Sequence, residues 1–299
     1  MHRHYGQFVR KVCLRPGTTC PNRDGKLGRG GCLFCAEPEL LPPEPVSSQL
    51  DRAFRRLKPG TPVIAYLQDH SATYMPAARL DELFNMLRRH PRIVGVALGT
   101  RPDCLPDPIL EVLEEHAGAP WDLLVELGLQ SAHDQTLQLL NRRHTVADFD
   151  GAVAALHQAG VRVCVHVVLG LPTPGSAPGV LVNEGRGHAR RTAHHLGIQG
   201  VEAVKVHNCH VLRGSPLEAL HAQGRYSPPD LERYMDLLCT FLEHLPAEVE
   251  IHRLMGEALR ACLVSPAFTA QKSGTLQRIR AYLDCKGLVQ GCRWQAPNR

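Results

Sequence analysis

The chain has 299 residues, of which 43% are hydrophobic and 21% charged, with a formal net charge of +5 and a pI of about 8.7. That length buries a sizeable core and suits one α/β barrel with an appendage. The mild basicity admits an acidic partner such as RNA but is far from a dedicated nucleic-acid binder. The longest apolar run, residues 161–171, is broken by Arg162 and His166 and is too short to cross a bilayer, so no membrane segment is expected.

The first strand is expected at residues 9–14 and leads directly into Cys20-Pro-Asn-Arg-Asp-Gly and then Gly-Arg-Gly-Gly-Cys32-Leu-Phe-Cys35. Cys32 and Cys35 form a Cys-x-x-Cys hook that aims two sulfurs at one metal centre, while Cys20 reaches in from further away. Gly25, Gly28, Gly30 and Gly31 let the loop bring backbone N–H groups close to an anion. Three thiolates suit a cubane iron–sulfur cluster with one open iron. The lesser alternative is a structural zinc completed by a fourth Cys or His. The first 35 residues carry seven Lys or Arg against the single acid Asp24, which fits an anionic ligand beside the cysteines or a solvated basic face. Eleven cysteines, an odd number, and the polar start Met-His-Arg-His-Tyr point to a reduced, cytoplasmic setting.

Helix and short apolar strand then alternate. Helices are expected at 48–57, 78–89, 109–116, 147–158 and 187–196, and strands at 63–67, 93–98, 123–127, 161–169 and 201–206. Six strands separated by helices predict a parallel sheet with right-handed crossovers, closed or partly closed into a barrel. Chemistry in such barrels sits on the loops after the strands' C-terminal ends. The cysteine loop occupies that position, as do residues 68–74, 99–103, 128–131, 170–172 and 207–210.

Beyond His210 the alternation stops. Ser227-Pro-Pro-Asp230 reads as a helix start, Leu231, Tyr234, Leu238, Phe241 and Leu245 make one apolar stripe, residues 249–253 suggest a strand, and residues 275–286 a last helix closed by Gly287. The expected organisation is a barrel over 1–210 and a small C-terminal α/β extension over 211–299 that covers it.

Further motifs are Gly99-Thr-Arg-Pro-Asp-Cys104, Glu126-Leu-Gly-Leu-Gln-Ser131, Asn141-Arg-x-His144, Val168-Leu-Gly-Leu-Pro172 and Arg213-Gly-Ser-Pro-Leu217. Together with the cysteine loop, and in this order, they resemble the radical S-adenosylmethionine (SAM) superfamily. In particular they resemble a small bacterial family related to the catalytic core of the elongator tRNA-modifying enzyme. The resemblance implies a partial (β/α)6 TIM-like barrel, and a [4Fe–4S] cluster on Cys20, Cys32 and Cys35 that binds SAM at its open iron. It also implies reductive cleavage to a 5′-deoxyadenosyl radical that abstracts hydrogen from a substrate, with a tRNA wobble nucleoside or a small metabolite as that substrate. A reductant protein such as flavodoxin or ferredoxin would be a partner, and tRNA another. By the same resemblance Gln130 would hydrogen-bond SAM and Arg142 would pair with its carboxylate. Gln68 lies where relatives carry a Gly-Gly-Glu segment that is absent here. His166 falls at a ribose-binding position, and is otherwise a hydrogen-bonded core histidine. The spacing from Cys20 to Cys32 exceeds the superfamily's common Cys-x3-Cys-x2-Cys but matches the small family, and the elongator enzyme's acetyltransferase domain has no counterpart.

Among the other cysteines, Cys285 and Cys292 are spaced to reach a common metal, and His207 and His210 follow the last barrel strand. A non-catalytic zinc- or cluster-binding RNA protein, with the three cysteines as a staple, is the competing reading from another class. An electron-transfer protein would call for a fully ligated cluster.

Overall fold

The protein was analysed as a computed structural model that describes residues 5–36, 42, 44–118 and 121–296. Within them the chain forms strands β1 (Arg10–Leu14), β2 (Val63–Leu67), β3 (Ile93–Thr100), β4 (Asp122–Gln130), β5 (Arg162–Leu169), β6 (Pro172–Pro174), β7 (Leu181–Asn183), β8 (Ala203–Asn208), β9 (Val211–Leu212), β10 (Glu250–Arg253) and β11 (Leu263–Ser265). Seven of these lie side by side as β1-β2-β3-β4-β5-β8-β10, every neighbouring pair parallel. Parallel neighbours need a crossover. Helices Val46–Arg56, Ala77–Arg88, Asp107–His116, Val146–Gln158 and Arg186–Gln199 supply one between each pair of strands from β1 to β8, and the sheet curls into a half-barrel with these helices outside.

The two faces of the strands differ in chemistry. On β4, Leu123, Val125, Leu127 and Leu129 point outward into the core shared with the helices, where Phe84, Phe149, Tyr234 and Phe241 are also buried. Glu126, Gly128 and Gln130 alternate with them and face inward, as the period of a strand requires. Burying each outward leucine contributes about 1.5–3 kcal/mol. The outer face therefore fixes register and leaves the inner face free for polar groups.

Local chemistry sets the helix ends. Thr145 caps Val146–Gln158 in a reciprocal capping box with Asp148, and Gly200 closes Arg186–Gln199 with φ of 67°. The helix expected from Ser227 starts later, at Leu231, with Asp230 as its cap and the Asp230 carboxylate accepting from the Arg233 N–H at 2.8 Å. Ser227 and Pro228 each precede a proline and are held out of helical geometry. Several elements lacked a sequence signal, among them the short helices Asp134–Leu139 and Pro216–Ala222, the β6–β7 hairpin and the β9–β11 pair. The strand expected near 249–253 is β10, which pairs with β8 as the seventh strand of the sheet. No helix among the described residues is long and apolar enough to cross a membrane.

Candidate functional site

Residues 15–36 follow β1 and arch over the C-terminal end of the half-barrel. Two bonds to Asp69, from the Gly17 N–H at 3.0 Å and the Thr18 hydroxyl at 2.6 Å, tie the arch to the loop after β2. Inside it the Cys20 carbonyl accepts from the N–H groups of Arg23 and Asp24, and the Cys35 N–H bonds the Cys32 carbonyl at 3.0 Å, closing a tight turn between the two thiols. Gly31 sits at φ of 78°, and a Cβ there would stand 3.0 Å from Arg23 Nε, so both backbone and space call for glycine.

The arch docks on the turn after helix Asp134–Leu139. Asn22, fully buried, donates to the Asn141 carbonyl at 2.6 Å and lies 3.6 Å from Cys32 Sγ. Asn141 returns a bond to the Gly31 carbonyl at 2.8 Å. The Arg142 guanidinium reaches Cys32 Sγ at 3.3 Å through Nη1, His144 Nε2 at 3.1 Å through Nε, and the Gly128 carbonyl at 2.6 Å through Nη2. Burial, with the Arg142 charge beside it, pushes His144 down to about 3. The ring is neutral, so Nε2 accepts from Arg142 and the proton is assigned to Nδ1, which faces the Thr145 carbonyl at 3.2 Å.

Cys32 and Cys35 share a hydrogen bond. That bond, joined by the charges of Arg142 and Arg101, outweighs burial and holds the Cys32 thiol well below its ordinary range; the same bond, with burial, pushes Cys35 well above. The guanidiniums of Arg142 and Arg101 thus favour the anionic form of the Cys32 sulfur. Arg101 is clamped from behind, with Nε and Nη2 on the Asp103 carboxylate at 2.9 and 3.0 Å and Nη2 also on the Arg142 carbonyl at 2.6 Å. Its Nη1 is buried without a hydrogen-bond partner, close enough to Cys20 and Cys32 for their charges to act on it.

The donor set fits an iron–sulfur cluster: three thiols, a buried thiolate hydrogen-bonded by a guanidinium, and an orphaned Arg101 N–H beside them. Among the described residues no group of three or more Cys, His, Asp or Glu side chains converges as a single-ion site would require. A cluster asks each thiolate to meet a different iron, so convergence on one point is not needed. Cys285 and Cys292 likewise join no such group.

The other sequence-predicted residues fall in two places. Gln130, with φ of 75°, and Arg142 meet at Gly128, where a Cβ would stand 2.8 Å from Gln130 Nε2 and 3.2 Å from Arg142 Nη2. Gln68 and His166 line a cavity of about 450 Å³ on the inner face of the half-barrel, together with Lys11, Tyr66, Lys205 and His207. His166 is the point where that cavity meets a group the sequence did not single out. Glu126 is wholly buried and accepts from Lys11 Nζ at 3.1 Å, Tyr66 OH at 2.6 Å, His166 Nε2 at 2.9 Å and Lys205 Nζ at 2.5 Å. Burial alone would raise its pKa, but the His166 hydrogen bond and the charges of His166, Lys205 and Lys11 hold the carboxyl well below the usual range. The Tyr66 phenol is pushed up by burial and by Glu126. The signal was present in the sequence as ionisable residues inside apolar strands: Lys11 in β1, Glu126 in β4, His166 in β5 and Lys205 in β8.

Comparison with known proteins gives the following. The sequence profile of the Radical SAM superfamily matches residues 15–175, and that of the Radical_SAM C-terminal domain matches residues 201–284. Protein YhcC of Escherichia coli is 33% identical over 293 residues, covering 97% of this chain and 91% of that protein. A tRNA uridine(34) acetyltransferase of Methanocaldococcus infernus is 25% identical over 202 residues, which are 67% of this chain and 35% of the relative. In three dimensions the archaeal Methanocaldococcus infernus Elp3 superposes with a TM-score of 0.68 at 17% identity, over 94% of this chain and 64% of that one.

Proposed function

Because this chain belongs to the radical SAM superfamily, we propose that it uses a [4Fe–4S] cluster and SAM to remove a hydrogen atom from a nucleoside in tRNA. The cluster and SAM, when bound, supply one-electron cleavage of the sulfonium and a carbon radical able to take that hydrogen. Everything else falls to the chain's own residues. Cys20, Cys32 and Cys35 are the cluster ligands in this reading. Arg142 hydrogen-bonds the Cys32 sulfur and is oriented by neutral His144 and the Gly128 carbonyl, while Gln130, which meets it at Gly128, would hydrogen-bond the cofactor. Gln68 and His166 present polar groups from the cavity wall. The overlying arch covers the barrel mouth on one side, and radical chemistry requires that bulk water be kept from it.

The observation behind the reading is the three-thiol arch set over a polar-lined half-barrel. The RNA substrate draws support from the similarity to a tRNA uridine(34) acetyltransferase and from the net charge of +5. That relative is matched over 35% of its length only, so its acetyl transfer is not carried over. A reductant protein of the flavodoxin or ferredoxin type would deliver the electron. A small metabolite is the second reading, favoured by the cavity volume of about 450 Å³ and its two lysines.

The test is anaerobic. Protein reconstituted with iron and sulfide is given dithionite and SAM, with and without unmodified tRNA, and 5′-deoxyadenosine is quantified beside a Cys20/Cys32/Cys35→Ala control. Formation in wild type alone, stimulated by tRNA and accompanied by a mass change in a digested nucleoside, is expected. Turnover that tRNA leaves unchanged would remove the RNA substrate, and no turnover from cluster-loaded protein with any substrate would remove the reading itself.

A further inference from the structure

A second basic surface lies away from the cysteine arch, on the outer side of helix Arg186–Gln199. That helix has three arginines and three histidines and not one Asp or Glu. Against the C-terminal residues it forms a groove of about 740 Å³, lined among others by Arg190, Arg191, His194, His195, His244 and Arg293, with no carboxylate among its described lining residues. Two of these groups have an acidic neighbour: His195 Nε2 lies 2.7 Å from Asp150 and Arg293 Nε lies 3.3 Å from Glu243. Arg190 and Arg191 are exposed and make no ion pair among the described residues. In a chain with net charge of only +5, two adjacent exposed guanidiniums with no ion pair among the described residues are a local concentration of positive field.

Beside the groove a half-buried ring anchors the C-terminal residues to the helix. Trp294 lies 4.8 Å from His194, and a Cβ on Gly197 would stand 2.4 Å from its ring, so the indole rests directly on the helix backbone. The groove begins beside the barrel mouth, since Ala132 on its wall follows Gln130 by two residues. We infer that this groove holds the phosphate backbone of an RNA strand whose target nucleotide enters the barrel. The inference rests on the RNA reading above. Planar guanidiniums match phosphate bidentately. An acidic protein partner is the weaker fit, because protein-docking faces concentrate apolar area at their centre, whereas here the centre is charged.

The probe is fluorescein-labelled unfractionated tRNA, titrated by anisotropy with the full-length protein at several salt concentrations. Wild type should bind with an affinity that falls steeply with salt. Arg190→Glu/Arg191→Glu should lose at least tenfold in affinity at low salt, with a log–log salt slope shallower by about 1.4–1.8, the contribution of two phosphate contacts. Arg55→Glu/Arg56→Glu, on helix Val46–Arg56, is the matched control and should bind as wild type. If the charge reversal lowers the melting temperature, Arg190→Gln/Arg191→Gln replaces it and should show the same slope change, since it removes the same two phosphate contacts, with a smaller loss of affinity. Unchanged affinity in the groove variant, with wild type binding, overturns the groove and leaves the RNA substrate standing. Equal loss in the control overturns it too, since binding would then be diffuse. Polyglutamate competing as well as unlabelled tRNA would assign the groove to acidic protein instead. No binding by wild type would remove both the groove and the RNA substrate.

Discussion

At the scale of single residues, two buried glutamates behave in opposite ways because their neighbours differ. Glu126 is surrounded by Lys11, Lys205 and His166, so its charge is compensated where it sits. Glu126→Gln would leave the lysines buried without a counter-charge, and an uncompensated buried charge costs about 3–5 kcal/mol. A guanidinium unfolding midpoint close to that of wild type would contradict this. Glu184 accepts only hydroxyl bonds, from Ser131 at 2.6 Å and Thr136 at 2.7 Å, and burial pushes it from 4.5 up to about 7. The folded chain therefore binds this proton more tightly than the unfolded chain. Its contribution is fully present below about pH 4.5 and is lost as pH rises to about 7, a span worth about 3 kcal/mol. Glu184→Gln keeps both acceptor bonds and removes the titration, so its stability relative to wild type should rise between pH 5 and pH 8 when chemical unfolding is measured at each. Parallel pH profiles would show that Glu184 does not titrate in this window. Neither glutamate was singled out as a site residue in the sequence, where each was one acid among 29 Asp and Glu, because what distinguishes them is the set of groups brought to them by other strands.

At the scale of elements, the sequence announced the barrel through its outward faces. Runs such as Leu123-Leu-Val-Glu-Leu127 are strands because Leu123, Val125 and Leu127 are all needed by the core, and the helices between them end on recognisable caps. The β6–β7 hairpin was silent because its strands have three residues each and β6 begins and ends in proline; tertiary bonds such as Thr136 to Thr173 at 2.9 Å hold it instead. The cysteine arch was legible in its thiols and glycines, whereas the partners of Arg142 were not. The guanidinium expected to bind a carboxylate directs its three nitrogens to Cys32, His144 and the Gly128 carbonyl, and Arg101, quoted in a motif without a role, keeps the unpartnered nitrogen. The bulge where β4 loses register against β5, between Leu127 and Gln130, is what turns Gln130 and Arg142 toward each other over Gly128. Gly128→Ala places a methyl into the Gln130 amide, the mobile end of a side chain, so the fold should survive with a melting temperature within a few degrees. SAM affinity of the cluster-loaded protein, read by calorimetry, should fall at least tenfold. Wild-type affinity in a folded variant would mean that neither Gln130 nor Arg142 positions the cofactor.

At the scale of the whole molecule, the question is whether the C-terminal residues form a separate cover or belong to the half-barrel. Sequence alternation ends near His210, which suggested an extension over 211–299 packing on the partial barrel. The packing argues for closer integration. β10 is hydrogen-bonded to β8 as a sheet strand, and Leu231, Leu238, Phe241, Met255 and Ile279 share one core with β2 through β5. Asn208, at the end of β8, donates to Thr269 at 2.7 Å and accepts from the Gly256 N–H at 3.1 Å. A half-barrel that closes its radical chemistry against water needs that side sealed, and a cover that opened independently would expose the cavity wall at Arg253 and His252. Native-state hydrogen exchange decides between the two. If β10 and helix Lys272–Cys285 belong to the same cooperative unit, their slowest amides should exchange with the opening free energy of β4 and β5, and should lose protection in parallel as denaturant is added. If they are an independent cover, they should exchange far faster, with a denaturant dependence of their own, while β4 and β5 stay protected. The shared core favours the first outcome, because opening helix Leu231–Glu243 alone would uncover Tyr234 and Phe241, both fully buried against the outer face of the sheet.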